Sequence, residues 1–256
     1  MKKIELSHGM VVVTGGGGSI GAAIAMEVAA AGGKVAVADF NLSAAKKVSD
    51  EINSIGGTSQ AYEIDVTSKK SIENILEKAV SDLGSMIGLV TAAAVLRTGT
   101  LAEQSEAGWR EIMSVNVDGT FLAVQAAVPY LIETKGSVVT LASVAAFIGS
   151  AEGAAYTTTK GAVLSFTYAA AGDLAPKGIR VNAVSPGWVD GGFTHQAMEQ
   201  SDNPQELVDA AKNLHYLGRM AKPSDVANAV VWLLSDQAAF ITGSSLLVDG
   251  GYMIKH

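Results

Sequence analysis

Short, almost wholly apolar runs alternate along this chain with longer stretches in which apolar positions recur every three or four residues. The runs at 11–13, 34–38, 58–64, 87–92, 136–141, 179–184 and 246–248 have the length and β-branched content of buried strands. Helical periodicity predicts helices over about 20–31, 42–55, 69–83, 109–132, 154–175 and 224–234, with Pro129 near the end of the fourth. Strands this apolar are expected to be covered on both faces, as in a parallel sheet. Right-handed crossovers then give an α/β fold, a single doubly wound parallel sheet with helices on both faces. No repeat, low-complexity tract or linker interrupts the 256 residues, so one domain over 1–256 is expected. The least regular part, about 185–216, is rich in Gly, Asp, Asn and Gln and reads as a substrate lid within that domain.

With 48% hydrophobic residues the chain can bury a large core, which excludes a disordered protein. No run approaches the roughly 18 apolar residues that span a bilayer. The opening Met1-Lys2-Lys3-Ile4-Glu5 lacks the apolar stretch and cleavage site of a secretory leader. Zero cysteines exclude disulfides, thiolate metal sites and cysteine nucleophiles, and fit a reducing, cytoplasmic setting. A net charge of −7 argues against binding a phosphate backbone, so neither nucleic acid nor membrane is expected as a partner. His8, His215 and His256 show no ligand spacing, and no metal is expected.

Two clusters carry the chemistry. The first is Thr14-Gly15-Gly16-Gly17-Gly18-Ser19-Ile20-Gly21, which follows a strand and opens a helix. Glycines there let the backbone approach a pyrophosphate, and the helix N-terminus offers it unpaired N–H groups. Cofactor contacts are expected from Gly15, Gly17, Gly18, Ser19, Ile20 and Gly21. Asp39 ends the second strand, where a carboxylate can accept hydrogen bonds from both hydroxyls of an adenosine ribose. It would repel a 2′-phosphate, and Phe40 follows it in place of a base, so NAD(H) is expected in preference to NADP(H). Asp65 and Val66, after the third strand, are weaker candidates for the adenine pocket; an aspartate that merely forms a turn fits nearly as well.

The second cluster is Tyr156 and Lys160, four residues apart on one helix face, preceded by Ser143 at the end of the fifth strand. Oxidising an alcohol requires removal of its proton as hydride leaves. A free tyrosine, with a pKa of about 10, is a poor base near neutrality. A lysine cation and an oxidised nicotinamide ring would both favour tyrosinate. Lowering the pKa by about three units takes roughly 4 kcal/mol. Ser143 can hydrogen-bond the substrate oxygen.

At these residues the chain resembles the short-chain dehydrogenase/reductase family. The resemblance runs over essentially the whole length and includes residues 14–21, Asn116, Ser143, Tyr156, Lys160, Pro186-Gly187 and the terminal Val248-Asp249-Gly250-Gly251. It implies a Rossmann-type fold, a catalytic tetrad of Asn116, Ser143, Tyr156 and Lys160, and a lysine that also holds the nicotinamide ribose. Asn116 would position a water linking that lysine to solvent; an amide satisfying a local helix irregularity is a second reading, compatible with that role. Pro186, Gly187 and Val189 would lie along the nicotinamide, and a homotetramer is the common assembly.

Some residues depart from the family pattern. Ser19 stands where glycine is usual; its hydroxyl could contact phosphate or cap the helix. Thr91-Ala92-Ala93-Ala94 replaces the usual Asn-Asn-Ala-Gly. Ala92, Ala93 and Ala94 still leave room for the cofactor, and Thr91 or water is the expected substitute for the missing amides. Thr194 comes too late to be assigned to the carboxamide.

By position the substrate pocket should draw on Val144, Ala145, Phe147, Glu152, Trp188, Phe193, His195 and Met198, with Val95, Leu96 and Arg97 across the cleft. Its aromatics suit a small to medium apolar or cyclic substrate. The reading that follows is an NAD-dependent short-chain alcohol dehydrogenase/reductase acting on a secondary alcohol or its ketone. The alternative is a catalytically inactive NAD-binding sensor or scaffold, which has no need of Ser143, Tyr156 and Lys160 together. A sugar-nucleotide epimerase shares the Tyr/Lys spacing but usually carries a larger C-terminal substrate domain.

Overall fold

The computed structural model of the chain describes residues 4–149 and 151–255. The opening Met1 to Lys3 and His256, both used above, lie outside them. Seven strands form one parallel sheet: β1 (Met10–Thr14), β2 (Lys34–Asp39), β3 (Ser59–Glu63), β4 (Met86–Thr91), β5 (Ser137–Leu141), β6 (Arg180–Pro186) and β7 (Ser245–Val248). Their order is β3-β2-β1-β4-β5-β6-β7. The chain works outward from β1 to β3, then returns to the other side of β1 to lay down β4. Between β1 and β4 it leaves a crevice at the carboxyl ends of the strands, the place where open α/β sheets bind ligands.

The helices are α1 (Ser19–Ala30), α2 (Leu42–Ser54), α3 (Lys69–Leu83), α4 (Glu106–Met113), α5 (Gly119–Thr134), α6 (Ala154–Leu174), α7 (Phe193–Glu199), α8 (Pro204–Asn213) and α9 (Pro223–Leu234). Strand alternation divides the core in two. Val11, Val13, Val35 and Val37 pack with α1, α2 and α9 on one face, through Ile24, Val28, Ile52 and Val230 among others. Met10, Val12, Ala36 and Ala38 pack with α3, α5 and α6 on the other, through Leu76, Leu131 and Leu174. Both faces are covered, which is why the strands read as continuous apolar runs without polar alternation.

Two expectations change. The helix read at 109–132 starts and ends further out, running from Glu106 to Thr134 through a π turn at Ser114–Asp118, and Pro129 lies within α5. At 29 residues this helix is long and apolar enough to cross a membrane by length and composition alone, contrary to the reading of the sequence run by run. Interspersed Gly, Ser and Asp break the apolar runs without ending the helix. One side of α5 packs in the core through Ala123, Val124, Ala127 and Leu131. The second change is in the lid. Two helices, α7 and α8, occupy 193–213, α8 opening with Pro204 in its first turn. Their outward faces are polar, which is why composition read as irregular.

Candidate active site

The first strand-to-helix turn is closed by its own backbone. Gly15 has φ +67, and a Cβ on it would meet the Ala93 backbone nitrogen at 2.6 Å. A Cβ on Gly21 would stand 2.0 Å from the Gly15 carbonyl oxygen, so α1 begins hard against the turn. Gly15, Gly18, Ser19, Ile20 and Gly21 line a cleft of about 960 Å³ at the crevice, together with Asp39, Phe40, Asp65 and Val66. Gly17 does not line it. Its N–H donates to Asp39 Oδ2 at 2.9 Å, and a Cβ there would strike Ala44. The Gly17 N–H, expected at the cofactor, is thus turned to the aspartate that faces it. Asp39 Oδ1 accepts from the Asn41 N–H, also at 2.9 Å, so the carboxylate is aimed by two backbone donors. Asp65 is held in a turn by the Thr67 N–H and hydroxyl, as its alternative reading required, yet it still lines the cleft.

Ser19 does not cap the helix through its side chain, and it lines the cleft. Its Oγ lies against Gly191, where an added Cβ would approach it to 2.2 Å, so the base of the lid rests on the glycine-rich turn.

At the end of β4, Ala92, Ala93 and Ala94 line the cleft as expected. Thr91 does not replace the missing amides: its Oγ1 is buried without a hydrogen-bond partner among the described residues. Thr14 ties the neighbouring strand ends instead. Its carbonyl accepts from the Ala92 N–H at 3.1 Å, and its Oγ1 accepts from the Ala93 N–H at 3.4 Å. Thr91→Val keeps the shape and removes the unmatched hydroxyl, so we expect thermal stability equal to or above that of the wild type, by about 1 kcal/mol at most. A loss beyond that in a calorimetric melt would show that the hydroxyl is matched in solution.

The π turn buries Asn116 and gives it three bonds. Its Oδ1 accepts from the Val95 N–H at 2.8 Å, and its Nδ2 donates to the Val95 carbonyl at 3.0 Å and to Thr159 Oγ1 at 3.2 Å. Asn116 thus pins the loop after β4 to α6, one residue from Lys160, and does not itself line the cleft. A widened turn is what lets an amide leave a helix to serve a neighbouring loop.

Ser143, Tyr156 and Lys160 all reach the cleft. Ser143 Oγ accepts from the Ala145 N–H at 3.1 Å. Lys160 is buried and donates to the Leu141 carbonyl at 2.6 Å, with its Nζ 5.6 Å from the Tyr156 ring centroid. Burial pushes the Tyr156 phenol up to about 12, the Ser143 hydroxyl pulling the other way. Burial also lowers Lys160 to about 8. Burial in the protein on its own therefore holds the phenol protonated; the lowered value was expected from the lysine and an oxidised nicotinamide together. The Phe193 ring, from the lid, meets Tyr156 edge-on at 6.2 Å.

Val144, Ala145, Glu152, Trp188 and Phe193 line the cleft, as do Val95, Leu96, Pro186, Gly187 and Val189. Arg97, Phe147, His195 and Met198 do not. Arg97 is bonded to Glu111, and His195 to Asp190 at 2.9 Å in an exposed pair. Phe147 is turned outward by the helical turn Val144–Ala146, and Ile148 takes the place expected for it. On α7, Thr194 and Ala197 face inward where Met198 was expected. Thr194, left unassigned above, is buried there.

The reading of the sequence missed Tyr252 and His215. Tyr252 follows the terminal Asp249-Gly250-Gly251 turn and lines the cleft. His215 is buried behind it, the rings 5.6 Å apart. His215 Nδ1 donates to the Ala211 carbonyl at 2.8 Å, and its Nε2 accepts from the Trp188 N–H at 3.3 Å. This imidazole joins the end of α8 to the loop after β6; no spacing in the sequence signals it.

A dinucleotide-sized cleft at the sheet's switch point, with a hydroxyl, a phenol and an ammonium at one end, defines a Rossmann-type oxidoreductase site. The family described as Enoyl-(Acyl carrier protein) reductase matches residues 16–253. The chain is 38% identical over 248 residues to 2-(S)-hydroxypropyl-CoM dehydrogenase 3 of Xanthobacter autotrophicus, covering 96% of this chain and 97% of that one. It is 35% identical over 260 residues to cyclohexanol dehydrogenase of an Acinetobacter species, covering 100% of both. The crystal structure of gox2181 superposes with a TM-score of 0.92 at 29% identity, covering 99% of this chain and 98% of that one. The chain belongs to the short-chain dehydrogenase/reductase family.

Proposed function

We propose that the protein is an NAD(H)-dependent oxidoreductase that interconverts a secondary alcohol and a ketone. The observation that carries this reading is the convergence of Ser143, Tyr156 and Lys160 on one cleft whose far end is closed by Gly15, Gly21 and Asp39. The turn fits a dinucleotide: side chains on Gly15 and Gly21 would collide with backbone, so the chain is kept bare where a pyrophosphate must approach. Bound nicotinamide supplies the acceptor or donor of hydride. Tyr156 exchanges the proton with the substrate oxygen, Ser143 bonds that oxygen, and Lys160 favours the phenolate and is in place to hold the ribose. Asn116 keeps the loop after β4 in register with α6.

Similarity to named alcohol dehydrogenases supports the substrate class. Little in the site fits an acyl-carrier thioester. The lid has no Lys or Arg between 188 and 211, and Arg97 is committed to Glu111. We place the enzyme in the cytoplasm, as a homotetramer. Phe121, Ile132 and Tyr168 are exposed apolar side chains on α5 and α6, which supports self-association.

Cofactor choice tests the ribose end. Asp39 faces the cleft as a carboxylate, and a 2′-phosphate beside it would meet like charge. Steady-state kinetics with one alcohol should give a kcat/KM for NAD about a hundred-fold above that for NADP, roughly 2.7 kcal/mol. Asp39→Asn keeps an acceptor for the Asn41 N–H and should shrink that ratio about ten-fold. Equal use of both cofactors by the wild type would remove Asp39 from this role.

A further inference from the structure

Among the described residues two without a glycine's freedom have positive φ, Lys135 at 52° and Glu152 at 58°. Lys135 is explained by its place, the left-handed residue that closes α5. Glu152 closes no helix. It stands at the mouth of the cleft two residues before α6, where its carbonyl accepts from the Gly99 N–H at 3.0 Å. That bond joins the loop after β4 to the loop before α6 and fixes Glu152 in a conformation that a side chain disfavours. A backbone held this way at a site usually serves what the side chain does there.

The other charges along the cleft are occupied. Asp39 and Asp65 accept from backbone N–H groups at the cofactor end, Glu111 is paired with Arg97, and Lys160 is turned to the Leu141 carbonyl. The Glu152 carboxylate has no hydrogen bond or ion pair among the described residues. Glu152 is exposed at the rim, and the substrate end of the cleft that it borders is lined by apolar side chains: Val95, Leu96, Val144, Ile148, Trp188 and Phe193. An acceptor-only group at the rim of an apolar cleft favours a ligand that brings it a donor as the ligand displaces water.

We propose that Glu152 is a specificity-determining residue that accepts a hydrogen bond from a second hydroxyl on the substrate. The preferred substrates are then neutral diols or hydroxy-ketones, ahead of simple alcohols of the same skeleton. The same carboxylate repels hydroxy acids, which would find no free cation to pair with. This rests on the alcohol dehydrogenase reading above and narrows its substrate class.

The test compares cyclohexanol, trans-1,2-cyclohexanediol and the anion 3-hydroxybutyrate, with NAD, in the wild type, Glu152→Gly and Glu152→Gln. Glycine removes the carboxylate and suits the positive φ, so this variant should fold. Glutamine keeps an acceptor without the charge. The wild type should favour the diol over cyclohexanol in kcat/KM by about ten-fold, the scale of one charge-assisted hydrogen bond. Glycine should abolish that ratio, glutamine should restore part of it, and both variants should raise the relative rate on 3-hydroxybutyrate. A merely structural role would change all three substrates alike. Turnover of cyclohexanol and diol at equal kcat/KM, with a ratio unmoved by glycine, would overturn the assignment of Glu152 and leave the dehydrogenase reading intact. No turnover of any alcohol would overturn that reading, and this inference with it.

Discussion

Tyr156→Phe should lower kcat by about a thousand-fold, the scale of a lost general acid–base, while NAD still binds. The ring is held by packing as well as by its hydroxyl. Phe193 packs in a T-shaped pair with it, centroids 6.2 Å apart, and Lys160 Nζ lies 5.6 Å from its centroid, so phenylalanine should occupy the same place. The substitution then removes the proton carrier and little else. Burial holds the phenol at about 12 in the protein alone, so at neutral pH it is in the form that donates to a ketone oxygen. Alcohol oxidation needs the phenolate, and reaching it near neutrality takes about 7 kcal/mol of differential stabilisation. Lys160 contributes only while charged, below about 8 in the protein alone, and a neighbouring phenolate would extend that range upward. Single-turnover kinetics alongside a fluorescence titration of NAD separate the two effects. Near-normal turnover in the variant would remove Tyr156 from the mechanism.

The largest effect on binding should come from Gly21→Ala. Its Cβ would lie 2.0 Å from the Gly15 carbonyl oxygen, and that oxygen belongs to a backbone fixed on its other side by Ala93. Neither partner is a flexible side chain that can swing away. The turn must open, which moves the N–H groups at the start of α1 that a pyrophosphate would use. Overpacking of this kind costs about 1–3 kcal/mol, so the Kd for NAD should rise about ten- to a hundred-fold, with a lowered Tm. Gly18→Ala is the control, because its Cβ would sit 3.3 Å from the same oxygen, a contact relieved by a small shift. Calorimetric titration should show Gly18→Ala within about three-fold of wild type in Kd. Equal losses in both variants would mean that glycine content alone, and no particular contact, sets the affinity.

The strands were legible because both faces of the sheet are covered, so that Val11 and Val12 face opposite layers yet are equally apolar. The reacting end was legible for another reason: Ser143, Tyr156 and Lys160 lie on consecutive elements, β5 into α6, where spacing in sequence nearly fixes distance in space. Legibility fails where a partner is remote. Arg97 and His195 looked available for substrate, but Glu111 and Asp190 claim them. Phe147 and Ile148 exchanged roles because a three-residue helical turn resets the phase of the chain after Ser143. Gly17 belongs to the glycine-rich motif, yet its N–H is taken by Asp39 from the next strand. The same limit hid His215, whose partners are Ala211, Trp188 and Tyr252, and whose role is visible only once three segments meet. Asn116 was found by resemblance, and the π turn meets its other reading as an amide serving a helix irregularity; what stayed hidden was the remote partner, Val95.

Tyr156 and Lys160 mean catalysis only if the protein turns over, and a cofactor-binding sensor would keep the same cleft. The direct measurement is the appearance of NADH absorbance when the wild-type protein is mixed with NAD and a panel of secondary alcohols, cyclic ones and diols included. Multiple turnovers on at least one of them, lost in Tyr156→Phe, are the predicted result. Saturable NAD binding with no NADH formed from any alcohol, and none consumed with the matching ketones, would contradict the account.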